Sequence, residues 1–251
     1  MADLLQPVPV RSWSDRLAAV RERIATTGRA PDDIVVVAVT KGFGIDAVEA
    51  AVAAGLVHLG ENYAQELAVK AAATSNATSQ ATSTVTSAVT SAVTSEPGDG
   101  RRWHFLGRVQ RNKVRSIAPA VHLWQGIDRV AAGEEIARRA PGAKVLVQVQ
   151  IDEEPSARNG CDPHDVPALV EHLDGLGLDV RGLMAVGPPG APELARSGFR
   201  RVSALADRLG LVERSMGMTD DLDVAVEEGS TMVRVGRGLF GARPVAPTMR
   251  R

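Results

Sequence analysis

A lysine stands at the end of an apolar, β-branched run. Residues 34–41, IVVVAVTK, have the composition expected for a strand that is buried on both faces. Lys41 ends this run and Gly42 follows it directly. Partial desolvation at a strand end favours the neutral form of an amine, and a neutral amine can add to a carbonyl group. The pattern therefore marks Lys41 as a candidate nucleophile, with a lysine that simply extends into solvent as the alternative.

A second pattern, VRVGRGLFG at residues 233–241, is spaced by glycines. Gly236 and Gly238 would let the backbone approach a ligand closely, and N–H groups at the start of a following short helix would bind an anion. Ser215, in SMGM, adds a hydroxyl nearby. In a β/α barrel, the loops after the seventh and eighth strands commonly bind phosphate. A reactive lysine beside a phosphate site suits an aldehyde that carries a phosphate.

The elements that would position these residues alternate between short apolar runs and helical patterns, which predicts an α/β fold with a single (β/α)8 TIM barrel. The predicted strands are residues 34–41, 57–62, 102–107, 121–127, 144–151, 180–186, 211–218 and 231–236. The helix candidates are residues 45–54, 130–139, 163–173 and 192–209.

An extra amphipathic helix is predicted before the first strand, over Ser14–Thr26, with Ser14 as its N-cap. Its apolar face is predicted to carry Leu17, Val20 and Ile24.

The chain is predicted to form one domain over residues 1–251, interrupted by an insertion at residues 74–100. Residues 74–95 are a short-period Thr/Ser/Ala/Val tract without charge, and EPGDG follows them. Such low complexity is typical of disorder, with a hairpin as the alternative. We expect this insertion to be disordered and to carry no function.

Composition excludes several classes of function. Lys and Arg number 29 against 30 Asp and Glu, and aromatic residues make up 3%, so a nucleic-acid surface is not expected. No apolar run is long enough to span a bilayer, and the start lacks a signal-peptide pattern, so we expect a cytoplasmic protein without membrane contact. A single cysteine, Cys161, excludes an intrachain disulfide. The histidine spacing does not suit zinc, so no metal site is expected.

An ordered set of motifs identifies a family resemblance. The motifs are VAVTKGF, HLGENYAQEL, WHFLGRVQRNK, GLMAVGP and SMGMTDDLDVAVEEGSTMVRVGRGLFGAR. The chain resembles the YggS/PROSC family of pyridoxal 5′-phosphate (PLP)-binding homeostasis proteins, whose fold is similar to the barrel domain of alanine racemase. The likeness covers most of the chain outside the N-terminus and residues 74–100.

The resemblance implies a set of cofactor residues and no catalytic ones. It implies that Lys41 holds PLP as a Schiff base and that Arg234 faces the pyridine nitrogen. Asn62 of the GEN motif would lie near the ring. The phosphate cradle would consist of Ser215 and the backbone N–H groups of Gly236 and Arg237.

Some positions depart from the family pattern, among them Arg158 and Arg237. Arg158 stands where a lysine is common, and a guanidinium does not form a stable Schiff base, so a secondary lysine role is in doubt. Arg237 stands where a threonine is frequent, which removes one hydroxyl from the cradle.

The resemblance implies a protein that holds PLP for intracellular homeostasis without substantial turnover. PLP-dependent apo-enzymes are the candidate recipients, and a monomer is expected. The alternative is an alanine racemase-like PLP enzyme of low activity, which would need acid/base groups on both faces of the substrate carbon. Tyr63 is a poor candidate for the second group, and the sequence is expected to lack the second domain of alanine racemase. A Schiff-base aldolase that uses Lys41 on a sugar phosphate also fits a barrel, but it does not need Arg234.

Overall fold

The computed structural model describes residues 12–81, 100–151 and 159–242. Within them, parallel strands close into a barrel in which each strand pairs with the next and β8 returns to β1. The strands are β1 (Val35–Val39), β2 (His58–Glu61), β3 (Arg102–Phe105), β4 (Val121–Ile127), β5 (Lys144–Gln148), β6 (Asp179–Met184), β7 (Glu213–Ser215) and β8 (Met232–Val235). This confirms the predicted eight-stranded barrel, and every predicted strand overlaps its observed counterpart.

Helices surround the barrel and fill the connections between strands. They are α1 (Trp13–Thr26), α2 (Ile45–Ala53), α3 (Ala64–Ala81), α4 (Arg111–Ile117), α5 (Val130–Arg139), α6 (Val166–Gly175), α7 (Arg196–Arg208), α8 (Leu222–Glu227) and α9 (Arg237–Phe240). The helix predicted over 192–209 begins as a 3-10 turn at Pro192–Ala195 before it continues as α7.

The extra helix α1 begins one residue earlier than predicted, and its cap is a different serine. Ser12 is the N-cap, because its hydroxyl accepts from the Asp15 amide at 3.2 Å and the Asp15 carboxylate accepts from the Ser12 amide at 3.0 Å. This reciprocal capping box satisfies two backbone donors, which Ser14 alone could not do. The predicted apolar face is confirmed, since Leu17, Val20 and Ile24 are all buried.

The core has two layers because each strand is covered on both faces. A large outer layer lies between the strands and the helices. A small apolar layer fills the barrel interior, and it consists of Val37, Leu123, Leu146, Met184 and Met232. Above and below this inner layer the interior is polar, so the two ends of the barrel can differ in chemistry.

The predicted disordered insertion is partly helical. Helix α3 continues to Ala81, so residues 74–81 correct the expectation of disorder for the start of the tract. Thr74 is buried, and its hydroxyl donates to the Lys70 carbonyl at 2.9 Å, so this part of the tract extends the helix. Residues 82–99 lie outside the described residues, and so does Arg158.

Candidate functional site

Lys41 lies at the C-terminal mouth of the barrel, two residues after β1 ends at Val39. Its side chain is half-buried. The preceding residue, Thr40, is fully buried. The following Gly42 has φ +74°, which favours glycine, and its amide donates to the Glu66 carboxylate at 2.8 Å. The backbone is therefore fixed on both sides of the lysine.

A buried ion pair supports this segment from helix α3 and strand β2. Lys70 Nζ lies 2.6 Å from Glu61 Oε1 and donates to the Thr40 carbonyl at 2.8 Å. The Thr40 hydroxyl donates to the same Glu61 oxygen at 2.6 Å. Burial raises the pKa of Glu61, and the hydrogen bonds from Lys70 and Thr40 act in the opposite direction. Lys70 was not among the residues predicted from the sequence, although it contacts the residue that precedes Lys41.

Asn62 follows β2 at the same mouth and is half-buried. The neighbouring loops approach it closely because they carry glycines. A Cβ atom at Gly107 would collide with the Asn62 carbonyl, and one at Gly126 would collide with the Gly107 carbonyl. The loops after β2 and β3 and the end of β4 therefore stack at a distance that only glycine permits.

Arg234 lies inside the barrel on β8, opposite Val37 of the lysine-bearing strand. Its Nη1 atom donates to the carbonyl and hydroxyl oxygens of Ser215 at 2.6 and 2.8 Å, and Nη2 donates to the Ala185 carbonyl at 2.7 Å. Burial lowers the pKa of Arg234 to about 10, partly offset by Asp221. The guanidinium is therefore rigidly held and still charged at neutral pH.

Ser215 faces the barrel interior and does not join the glycine-spaced turn. It is fully buried and pairs with Met232, below Gly236 on the neighbouring strand. Its hydroxyl donates to Gln125 Oε1 at 2.7 Å while it accepts from Arg234. The predicted contact of Ser215 with a phosphate stays a prediction, and in this structure the hydroxyl proton goes to Gln125. Ser215 also positions Arg234.

Gln125 extends this network across the barrel. Its Nε2 atom can only donate, and it lies 2.7 Å from Nδ1 of His104. Neutral His104 therefore carries its proton on Nε2, which lies 2.8 Å from Nδ1 of His58 and donates to it. We call the sequence Arg234, Ser215, Gln125, His104 and His58 the interior chain. His104 is thus a core hydrogen-bonding residue that is connected to the candidate site.

Acidification below about pH 6.5 is expected to destabilise the fold through His104. Burial, together with the positive charge of nearby groups, lowers the pKa of His104 well below its ordinary value. On acidification, the imidazole therefore takes up a proton in the unfolded chain before it does so in the folded protein. The free energy of unfolding should therefore fall by about 1.4 kcal/mol per pH unit for this one group. Urea unfolding of wild type and His104→Gln between pH 7 and pH 5 measures the difference. Equal slopes for the two proteins would contradict the argument.

The glycine-spaced turn follows β8, beside β1. A Cβ atom at Gly236 would lie 3.4 Å from the Val39 carbonyl. The Gly238 amide donates to Thr219 Oγ1 at 3.1 Å, and a Cβ atom at Gly238 would lie 2.8 Å from a side-chain carbon of β8. Thr219 thus supplies at this turn the hydroxyl that was expected from Ser215. Thr219 was not predicted as a site residue, although it directly follows the SMGM motif that contains Ser215.

Arg237 begins α9, and its guanidinium forms an ion pair with Asp220 at the surface. Its charge is therefore directed to a carboxylate on the loop after β7. The predicted cofactor residues that lie at the C-terminal mouth, after the strands end, are Lys41, Asn62, Gly236 and Arg237. Arg234 lies two residues before Gly236, within β8.

Helix α1 packs against these loops from outside the barrel. The rings of Trp13 and Phe240 meet edge to face with centroids 4.5 Å apart, and Phe43 lies 5.0 Å from Phe240. Arg23 donates to the Thr219 carbonyl at 2.7 Å. Helix α1 therefore contacts the glycine turn through Trp13 and the loop after β7 through Arg23, whereas Phe43 of the lysine loop contacts Phe240.

Arg23→Ala is expected to weaken cofactor binding at this mouth by roughly tenfold without altering any residue that would touch the ligand. The change removes the hydrogen bond to Thr219 and the paired contacts with Asp223 at 3.0 Å, so the turn loses support. Fluorescence titration measures the affinity. Arg21→Ala, on the exposed face of the same helix, is the matched control. Equal affinities of the two variants would show that Arg23 is irrelevant to the site.

Comparison with known proteins identifies the family. The alanine racemase N-terminal domain family matches residues 16–244. A pyridoxal phosphate homeostasis protein of Pseudomonas aeruginosa is 37% identical over 234 residues, covering 90% of this chain and 92% of that protein. One from Escherichia coli is 32% identical over 245 residues, covering 90% and 95%. The chain belongs to the pyridoxal phosphate homeostasis protein family.

The fold of this chain is similar to that of several solved structures. PipY of Synechococcus elongatus with PLP bound has a TM-score of 0.70 and 29% identity, covering 92% of this chain and all (100%) of that one. An alanine racemase of Clostridium difficile has a TM-score of 0.65 at 15% identity, and 57% of its chain is covered. The latter likeness shows a shared barrel fold only. This confirms both the predicted family and the predicted alanine racemase-like barrel.

Two features of the described residues concern membrane-spanning helices and clusters of metal-binding side chains. Among residues 12–81, 100–151 and 159–242, helices that are both long and apolar enough to cross a membrane are absent. The same described part of the chain contains no cluster of three or more His, Cys, Asp or Glu side chains that could hold a metal ion.

Proposed function

We propose that this chain binds PLP covalently through Lys41 and holds the cofactor for PLP homeostasis without turning over a substrate. The observation that carries the proposal is the convergence of a strand-end lysine, a buried arginine and a glycine-spaced turn on the adjacent strands β1 and β8. The names of the curated relatives and the PLP in the PipY structure support it.

The residues at this mouth fit the parts of the cofactor. When bound, PLP supplies an aldehyde that condenses with an amine and a pyridine ring that can withdraw electrons. Lys41 would hold the aldehyde carbon, and Asn62 would lie beside the ring. Thr219 and the backbone N–H groups of Gly236 and Arg237 would bind the phosphate, because this turn combines amide donors, a hydroxyl and close packing.

Arg234 is the residue that would face the pyridine nitrogen. Its guanidinium is fixed by Ser215 and Ala185, so it cannot turn away from a bound ring without breaking three hydrogen bonds. An arginine cannot accept a proton, and its charge disfavours a second positive charge beside it. A carboxylate at this position would hold a proton on the nitrogen, whereas Arg234 would disfavour one there. This favours retention of the cofactor over carbanion chemistry.

Racemase-like turnover would also need an acid/base group on each face of the substrate carbon. Tyr63 follows Asn62, but it is 60% exposed, so it is not held over the mouth in the way that proton transfer requires. Its exposure supports the carrier over the racemase-like enzyme.

Incubation of the PLP-loaded protein with L-alanine in deuterated water is expected to give α-proton exchange far below the roughly 1 per second of slow PLP enzymes. Arg234→Glu should raise the trace rate, because glutamate can hold a proton at the ring nitrogen. NMR measures the exchange, circular dichroism checks the fold, and Arg208→Glu on the surface of α7 is the control. Wild-type exchange at ordinary enzymatic rates would overturn the carrier proposal in favour of a racemase-like enzyme.

We further propose that the protein acts as a cytoplasmic monomer and that PLP-dependent apo-enzymes receive the cofactor. The half-buried position of Lys41 supports this, because the attachment point is reachable from solvent and PLP can be exchanged. Recovery of activity by an apo-enzyme mixed with the PLP-loaded protein, compared with an equal amount of free PLP, tests the transfer. Sedimentation velocity tests the monomer.

A further inference from the structure

The barrel has a second opening, at the N-terminal ends of its strands and opposite Lys41. A cavity of about 340 Å³ lies there, which is within the range of small-ligand sites. We call it the lower cavity, and its polar lining comes from the starts of successive strands. The residues that matter for its chemistry are His58, Arg102, His104, His122, Lys144 and Arg181.

The lower cavity has more cationic than anionic side chains. Arg102, Lys144 and Arg181 line it, against the carboxylates of Asp33 and Glu213. Arg181 and Glu213 offset each other's charge, since Arg181 Nε lies 3.2 Å from Glu213 Oε1, and the two other cations still outnumber Asp33. Lys144 is exposed at its rim, and within the described ranges it forms no ion pair. The local charge therefore favours an anion over a cation.

Three imidazoles add hydrogen-bonding groups to the same lining. The ring centroid of His104 lies 5.0 Å from that of His58 and 6.0 Å from that of His122. The interior chain ends here, so neutral His58 carries its remaining proton on Nε2. Donors from imidazole, guanidinium and ammonium groups around one opening are the set that binds oxyanions.

We propose that the lower cavity is a binding site for a small dianion with phosphate or carboxylate groups, separate from the PLP site. Lys144 and Arg102 provide the charge, and the imidazoles provide directed hydrogen bonds. Nothing in the proposed cofactor function uses this end of the barrel. The ligand would be a small metabolite, because the opening lies within the ring of eight strand starts and its volume limits the size.

The test is an NMR titration of the histidine side chains in protein saturated with PLP, so that the phosphate turn is already filled. Inorganic phosphate and, separately, succinate are added at constant ionic strength. The resonances of His58, His104 and His122 should shift saturably with at least one of these ions. His164 and His172 lie on the surface and serve as internal references that should not respond.

Lys144→Gln is expected to weaken the anion affinity by about tenfold, as the loss of one charge-assisted contact should. Lys113→Gln removes the same charge near the opposite mouth, in α4, and should leave the affinity unchanged. The proposal is overturned if neither ion gives a saturable shift, if the two reference histidines respond equally, or if both lysine variants behave alike. PLP absorbance reports the cofactor site independently, so failure of this proposal and failure of PLP binding are distinguishable.

Discussion

Replacing Lys41 with alanine is expected to abolish covalent retention of PLP while leaving the fold intact. The side chain is half-buried at a strand end and is outside both apolar layers, so its loss removes little packing. Borohydride reduction followed by gel filtration and peptide mass spectrometry measures retention. Weak, reversible binding through the glycine turn should persist. The thermal midpoint of the apo-protein should change by no more than about 1 °C, as expected for a surface position.

The nearest rival to Lys41 is Lys70, whose amine lies 2.8 Å from the Thr40 carbonyl. Its amine is buried and donates to Glu61 and to the Thr40 carbonyl, so it is not available to attack an aldehyde at the mouth. Lys70 should therefore not take over in the variant. Lys113→Ala is the matched control and should retain the label at Lys41. Reduction that labels Lys70 or Lys113 in the wild type would refute the assignment.

Lys70→Met is expected to lower the free energy of unfolding by about 3–5 kcal/mol. The pair lies in the core, with side-chain exposures of 8% for Lys70 and 0% for Glu61. Methionine keeps most of the volume but leaves the Glu61 carboxylate buried without its counter-ion. The raised pKa of Glu61 should rise further, so the loss should be largest at high pH and shrink on acidification. Urea unfolding at two pH values measures both effects.

The double variant Lys70→Met/Glu61→Gln should recover much of this loss, because it removes the uncompensated charge as well as the cation. Glu61→Gln keeps a hydrogen-bond acceptor for the Thr40 hydroxyl. An additive double variant, with no recovery, would contradict the interpretation as a charge effect. A weaker PLP affinity of Lys70→Met would in addition show that the pair positions the Lys41 segment.

The barrel was predictable from the sequence because its strands are apolar on both faces and glycines or polar residues interrupt them regularly. The run before Lys41 and the 121–127 strand are clear cases. The position of Lys41 at the mouth followed from the fold, since the residue after a barrel strand lies there. The strand pattern alone therefore predicts the fold and the place of Lys41 at the mouth.

What sequence could not supply was the direction and partner of each polar side chain. Ser215 and Thr219 are four residues apart and both carry hydroxyls, but strand register turns Ser215 inward to Gln125 and leaves Thr219 at the turn. Lys70 lies on helix α3, and the sequence does not show that its side chain turns inward to pair with Glu61. The capping serine was misassigned for the same reason, since Ser12 and Ser14 differ only in what Asp15 can reach.

The interior chain has a direction. In every link, the donor is nearer to the cofactor mouth and the acceptor is nearer to the lower cavity, from Arg234 to His58. The bond dipoles therefore add head to tail, as peptide dipoles do along a helix. The order cannot be reversed at its first link, because a guanidinium has no acceptor atom and Arg234 can only donate to Ser215. The barrel interior thus carries a dipole along its axis. The chain starts at the Arg234 guanidinium, and the positive end of the dipole lies at the histidines.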